Sequence, residues 1–141
     1  MKLLTTVALL AAVVTLCEGK TFTLCGLVKE VNILLKSFLC LGVCLIQKES
    51  GMRTHVIGGP NANGSRDHGL YQINDRYWCN NSNTPGKDCN VTCARKYYSL
   101  TYSNVKASNC AKKIYNRHGF NAWYGWVNHC KGKPLPSISH C

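Results

Sequence analysis

Ten cysteines in 141 residues constrain this chain more than any other feature. Thiols at that density belong to an oxidising compartment, or else to metal or redox sites. The chain's start decides between these. Lys2 precedes an apolar run from Leu3 to Leu16, and the small residue Gly19 follows before polar Lys20-Thr21. A basic residue, a short apolar stretch and a small residue at the cut mark a secretory signal. The run is shorter than the ~20 residues of a spanning helix, so no membrane span is expected. Residues 1–19 are therefore read as a signal peptide and residues 20–141 as a secreted, extracellular domain. Cleavage removes Cys17 and leaves nine cysteines from Cys25 to Cys141, an odd number that strands one thiol. A zinc site would need compact ligand pairs, and Cys89, Cys93, His118 and His129 do not have that spacing. No metal and no cofactor is expected.

Charge narrows the partners. Lys and Arg number 17 against 6 Asp and Glu, a formal +11 at pH 7, and loss of Lys2 and Glu18 with the signal leaves this unchanged. With 45% apolar residues the chain can bury a core, so it is no disordered basic tail. A basic surface favours anionic bacterial surfaces. No nucleic-acid recognition motif accompanies the charge, so nucleic acid is not an expected partner. There are no repeats and no low-complexity linker. The length allows one domain of two lobes, expected to be a monomer.

Between Leu24 and Gln47 the apolar residues Leu27, Val31, Leu34, Leu35, Phe38, Leu39, Leu41, Leu45 and Ile46 recur at helical spacings. Two tightly joined helices are expected, the second stopping at Gly51 just after Glu49-Ser50. Gly58 to Ser65 is turn chemistry, with Asn63-Gly64 a hairpin signal. Leu70 to Asn74 reads as a short strand, followed by a long polar loop through Thr84-Pro85-Gly86. Helical character returns at Cys93–Tyr98 and at Ser108–Tyr115, where Ser108 is a candidate N-cap. Gly119 should end that helix, and Ala122 should open a short one. A small β-region thus sits inside a mostly helical chain.

The domain holds only five acids, so their placement is informative. Glu49 ends an apolar helix after Leu45 and Ile46, and Asp67 lies beside the glycine-rich hairpin. A carboxyl against apolar walls has a raised pKa and donates a proton near neutral pH, whereas one in a wet, hydrogen-bonded strand stays ionised. Two such groups across a cleft are what glycoside hydrolysis requires. Spacing alone does not distinguish this from two solvated surface charges.

The surrounding residues do. Asp67-His68-Gly69-Leu70-Tyr71-Gln72-Ile73-Asn74, with Asp75-Arg76-Tyr77-Trp78-Cys79-Asn80 after it, resembles the active-site strand of C-type lysozymes. Cys44-Leu45-Ile46-Gln47-Lys48-Glu49-Ser50 resembles the helix that carries the family's acid. Cys110–Tyr115 and Asn121–Trp126 are similar to two further segments, and the ends, Lys20–Thr23 and Gly132–Ile138, look like those of insect members. The resemblance spans Lys20 to Cys141. It implies an α+β lysozyme fold: a mostly helical lobe, a small antiparallel β lobe, the active-site cleft between them and disulfide staples throughout.

The resemblance also implies roles. Glu49 would be the general acid and Asp67 the nucleophile or charge stabiliser, with Trp123 as the apolar wall that raises the pKa of Glu49. Gln72 and Asn74 would hydrogen-bond around Asp67 and the sugar's N-acetyl group. Tyr77 and Trp78 would stack on sugar faces, and Ala122 would offer backbone contacts. Trp126 reads as ordinary core packing, and His68, standing where an aromatic residue is common, has no assigned role. The implied bridges are Cys25–Cys141, Cys44–Cys130, Cys79–Cys93 and Cys89–Cys110, leaving Cys40 over, although Cys40 lies one helical turn before Cys44 and could compete for Cys130. The stretch from Cys25 to Cys44 is shorter than usual in the family, and that from Cys93 to Cys110 longer.

The implied substrate is bacterial peptidoglycan, cut at the β-1,4 bond between N-acetylmuramic acid and N-acetylglucosamine, with chitooligosaccharides as further ligands. The alternative is a cationic, glycan-binding antimicrobial protein with weak or no hydrolase activity. A calcium-binding α-lactalbumin reading fails on chemistry, because Lys96 to Asn104 contains no acid. Sequons stand at Asn63, Asn80 and Asn90.

Overall fold

The structure is a computed structural model that describes residues 19–35, 39–93 and 100–141. The body of the expected signal peptide, the junction between the first two helices and the helix expected beyond Cys93 lie outside the described residues.

Helix α1 spans Leu24–Leu35. Thr23 caps it, its hydroxyl accepting the Gly26 N–H at 3.1 Å. Leu27, Val28 and Val31 are its buried face. Helix α2 spans Leu39–Ser50 and buries Gly42, Val43, Cys44, Leu45, Ile46 and Ser50, so it runs through the middle of the core. It stops at Gly51, as the sequence predicts, because Gly51 takes φ 60, a left-handed conformation natural to glycine. The end of α2 is thereby fixed in space, and with it Glu49.

Three two-residue strands form an antiparallel sheet in the order β1 (Ile57–Gly58), β2 (Asp67–His68), β3 (Ile73–Asn74). Asp67 stands opposite Gly58 on one side and Asn74 on the other. The Asn63-Gly64 signal marks the tip of the β1–β2 loop, where Gly64 has φ 82 and donates to Asn61 O at 2.8 Å.

The expected strand Leu70–Asn74 is shorter than the sequence suggests. Only Ile73 and Asn74 pair, because Gly69 (φ 73) and Gln72 (φ 47) fold the chain into a turn between β2 and β3. Leu70 and Tyr71 are buried by that turn rather than by strand alternation.

Helix α3 spans Leu100–His118, so Ser108 is an interior residue and not an N-cap. Its hydroxyl has a distant partner: Ser108 Oγ and Tyr71 Oη lie 2.7 Å apart in the core. Gly119, at φ 64, ends α3 as expected. Ala122 does not open the next helix. It closes a 3-10 turn over Phe120–Ala122, and α4 begins at Tyr124 and runs to His129. Trp126 stacks on Phe120 with ring centroids 5.2 Å apart, the packing role expected of it.

Disulfides join Cys25 to Cys141, Cys44 to Cys130, Cys79 to Cys93 and Cys89 to Cys110. Cys40, half-buried, is the free cysteine among the described residues. The Cys44–Cys130 bridge ties α2 to the end of α4, the two helices that meet at Glu49. No described helix is long and apolar enough to cross a membrane.

Candidate active site

Between the sheet and the helices lies a cleft of about 1250 Å³. Its walls include Asp67, Gln72, Asn74, Tyr77, Trp78, Ala122 and Trp123, seven of the eight residues that the sequence points to for catalysis and substrate binding. Glu49 is set back from this lining. It is half-buried, and its Oε1 accepts the Gly125 N–H at 2.7 Å in the first turn of α4.

Burial is the largest influence on the Glu49 carboxyl and pushes its pKa above the ordinary value of 4.5. The N–H groups of Gly125 and Trp126 oppose this by favouring the anion, while the nearby charge of Asp67 adds to the rise. Glu49 is therefore an acid held protonated further up the pH scale than a solvated glutamate.

Asp67 is built differently. Asn74 Nδ2 donates to Oδ1 at 2.8 Å and Asn61 Nδ2 to Oδ2 at 3.0 Å, so both oxygens are oriented by amides. Ser65 Oγ accepts from the same two amides at 2.9 and 3.1 Å. The cross-strand pairing of Asp67 with Asn74 makes this bond a product of sheet register. From sequence, Asn61 and Ser65 are turn residues with no role at the site; only their position in the turn run before Asp67 draws attention to them.

Gln72 lines the cleft but does not bond Asp67. Its Nε2 donates to Gly69 O at 2.9 Å and Val56 O at 3.2 Å, because the turn at Gln72 directs the amide back onto the main chain. Gly58 leaves room for it: a Cβ there would lie 2.5 Å from Gln72 Oε1. Trp123 is buried and donates Nε1–H to Tyr71 O at 2.9 Å, which fixes its ring between the lobes. Tyr77 is 58% exposed at the rim. Trp78 is half-buried, with Arg117 Cζ 5.2 Å from its ring centroid and the His118 ring edge-on at 5.8 Å.

His68 is not idle. Its Nε2 lies 3.1 Å from Asp75 Oδ2, and its side chain is only 9% exposed. The bond joins β2, one residue from Asp67, to the residue after β3.

A shielded carboxylic acid set back from the cleft and an amide-held aspartate on its wall are the two kinds of carboxyl that glycoside hydrolysis requires. The comparisons with known proteins agree. Residues 20–141 match the model of the C-type lysozyme/alpha-lactalbumin family, and the chain belongs to that family. It is 54% identical to a lysozyme of Galleria mellonella over 124 residues, covering 86% of this chain and all of that one. It is also 54% identical to a lysozyme of Hyalophora cecropia over 127 residues, 89% of this chain and 88% of the relative. Among solved structures, the crystal structure of lysozyme from Equus asinus superposes with a TM-score of 0.67 at 30% identity, covering 82% of this chain and 92% of that one. The enzyme is a glycoside hydrolase of the lysozyme class.

Proposed function

We propose that the protein is secreted after removal of residues 1–19 and acts as a monomer in antibacterial defence. It hydrolyses the β-1,4 bond between N-acetylmuramic acid and N-acetylglucosamine of peptidoglycan, and it also binds chitooligosaccharides. Lysozyme is itself the type case of the two-carboxylate chemistry, so the mechanism is the family's. Glu49 gives its proton to the leaving glycosidic oxygen as the bond to C1 breaks. Asp67 faces the positive charge that develops on the ring and takes C1 as a covalent ester, retaining configuration overall. Glu49, now ionised, then takes a proton from water, whose oxygen attacks C1 and frees Asp67. Asn74 orients Asp67 directly. Trp123, Tyr77, Trp78, Ala122 and Gln72 form the walls that bind the sugars.

The observation that carries this reading is the contrast between the two carboxyls: burial raises the pKa of Glu49, and two amides hold both oxygens of Asp67. The test is Glu49→Gln, which keeps the Gly125 bond but cannot donate a proton. General acid catalysis contributes about 10²–10⁴-fold, so clearing of bacterial walls should fall by that factor with circular dichroism unchanged. Lysis at the wild-type rate would mean that killing is cationic and non-enzymatic.

A further inference from the structure

The two rim aromatics of this cleft each have an arginine beside them. Arg76 Cζ lies 5.6 Å from the centroid of Tyr77, and Arg117 Cζ lies 5.2 Å from that of Trp78. Of the two arginines, Arg117 is part of the cleft wall, together with His118 and Asp88.

Arg117 Nη1 donates to Asp88 Oδ2, and Lys113 Nζ sits 3.2 Å from the other oxygen, Oδ1, while also donating to the Asp88 carbonyl. The Arg117 bond, with that of Lys113 behind it, holds the Asp88 carboxyl below its ordinary value of 3.8, so it is ionised at neutral pH. Two cations then share one anion, so the cluster carries one net positive charge beside the cleft, with Arg117 as its cation on the wall. The Arg117 side chain is 50% exposed. Among its five N–H donors only the one to Asp88 is engaged among the described residues, so several point free.

We propose that Arg117 is a recognition site for a carboxylate carried by the bound glycan, which makes the enzyme prefer anionic chains to neutral ones. This rests on the reading of the cleft as a peptidoglycan site. A chain of N-acetylglucosamine alone has no charge to offer. A chain with muramic acid offers one of two carboxylates, that of the lactyl group or that of the peptide attached through it. Arginine suits either, since its planar fork meets a carboxylate with paired N–H bonds. A purely structural Arg117, strutting the Asp88 loop against α3, would not discriminate between charged and neutral glycans.

The experiment compares kcat/KM on glycan strands with free carboxylates and on the same strands amidated with carbodiimide and ethanolamine. Peptide-free strands expose the lactyl group, and peptide-bearing strands expose only peptide carboxylates. The wild-type enzyme should prefer the free-carboxylate form of at least one strand type by about tenfold, the size of one half-exposed charge-assisted hydrogen bond. Arg117→Gln should bring that ratio close to one, chiefly through KM, and Arg117→Lys should keep most of it. The Cys89–Cys110 bridge still ties the loop to α3 in both variants. An equal ratio in wild type and Arg117→Gln overturns the inference, as does a wild-type enzyme that cleaves both forms equally well. Failure of the wild type to cleave any strand would instead overturn the peptidoglycan reading on which it rests.

Discussion

The Gly125 N–H donates to Glu49 Oε1 at 2.7 Å, and nothing larger than glycine fits that position undisturbed. A Cβ on residue 125 would stand 2.7 Å from Oε1 and 2.9 Å from Cδ of Glu49, with the Lys48 carbonyl carbon at 3.3 Å. The acid is therefore set between two opposed influences, burial that favours the protonated form and main-chain N–H groups that favour the anion. Glycine at 125 lets α2 and α4 close on each other until that bond forms.

Gly125→Ala should push the carboxyl off the N–H. With an anion-favouring bond gone, the pKa of Glu49 rises further, and the alkaline limb of the kcat/KM profile moves to higher pH. Peak turnover should drop, but by less than the about hundredfold that a 1 Å misplacement can cost. An alkaline limb that stays put or moves down would show that Gly125 does not tune the acid.

The raised pKa has a consequence for stability. The folded protein binds the Glu49 proton more tightly than the unfolded chain does. Its contribution is fully present below pH 4.5 and is lost as pH rises through the folded value. Glu49→Gln keeps an acceptor for Gly125 and cannot ionise, so it should melt higher than wild type near neutral pH. The gap should close in acid below pH 4.5. Thermal melts across pH check this, and a variant less stable than wild type at neutral pH would contradict it.

The cysteines, the helical spacings and the acid-bearing segments carry the fold in the sequence because each is a local signal. The end of α2 at Gly51 and of α3 at Gly119 were readable for the same reason. What was not readable depends on residues far apart. Leu70 and Tyr71 look like strand residues because both are apolar, yet their burial comes from a turn whose partner helix lies elsewhere in the chain. Ser108 looks like a cap because serine favours caps, but its hydroxyl answers Tyr71, 37 residues away. Gln72 has a motif position that points to Asp67, and only its backbone at φ 47 turns it aside. Arg117 and Asp88, 29 residues apart, meet only once the long loop folds onto α3.

The Tyr71–Ser108 pair links the turn between β2 and β3 to α3 through the core. Ser108→Ala strands the Tyr71 hydroxyl without a partner, which should cost about 1–3 kcal/mol and lower the melting temperature. Burial pushes the Tyr71 pKa to about 12, with the Ser108 bond opposing the rise. Stability from Tyr71 is thus full below pH 10 and lost as pH climbs toward about 12. Ultraviolet titration of the tyrosines should show one ionising last, together with alkaline unfolding. If every tyrosine titrated near 10 in the folded protein, the buried pair would be absent.

His68, which the sequence leaves without a role, is bonded to Asp75 at 3.1 Å. Burial raises the Asp75 carboxyl, but the Arg66 N–H at 2.9 Å, the His68 bond and the charges of His68 and Lys87 outweigh it and bring its pKa below 3.8. A lowered value contributes stability above the unfolded pKa that is lost as pH falls through the folded one. His68→Phe removes the nitrogen and leaves Asp75 Oδ2 without that partner. It should therefore cost about 1 kcal/mol, one hydrogen bond's worth, near neutral pH. The difference from wild type should shrink only as pH falls through the folded Asp75 value, which lies below 3.8, because there the wild-type carboxylate takes up its proton. Because β2 also carries Asp67, turnover should fall several-fold even though His68 does not line the cleft. Thermal melts at neutral and acid pH, with wall-clearing rates at neutral pH, check both parts. Equal melting temperatures and equal rates at neutral pH would show that the bond holds nothing in place.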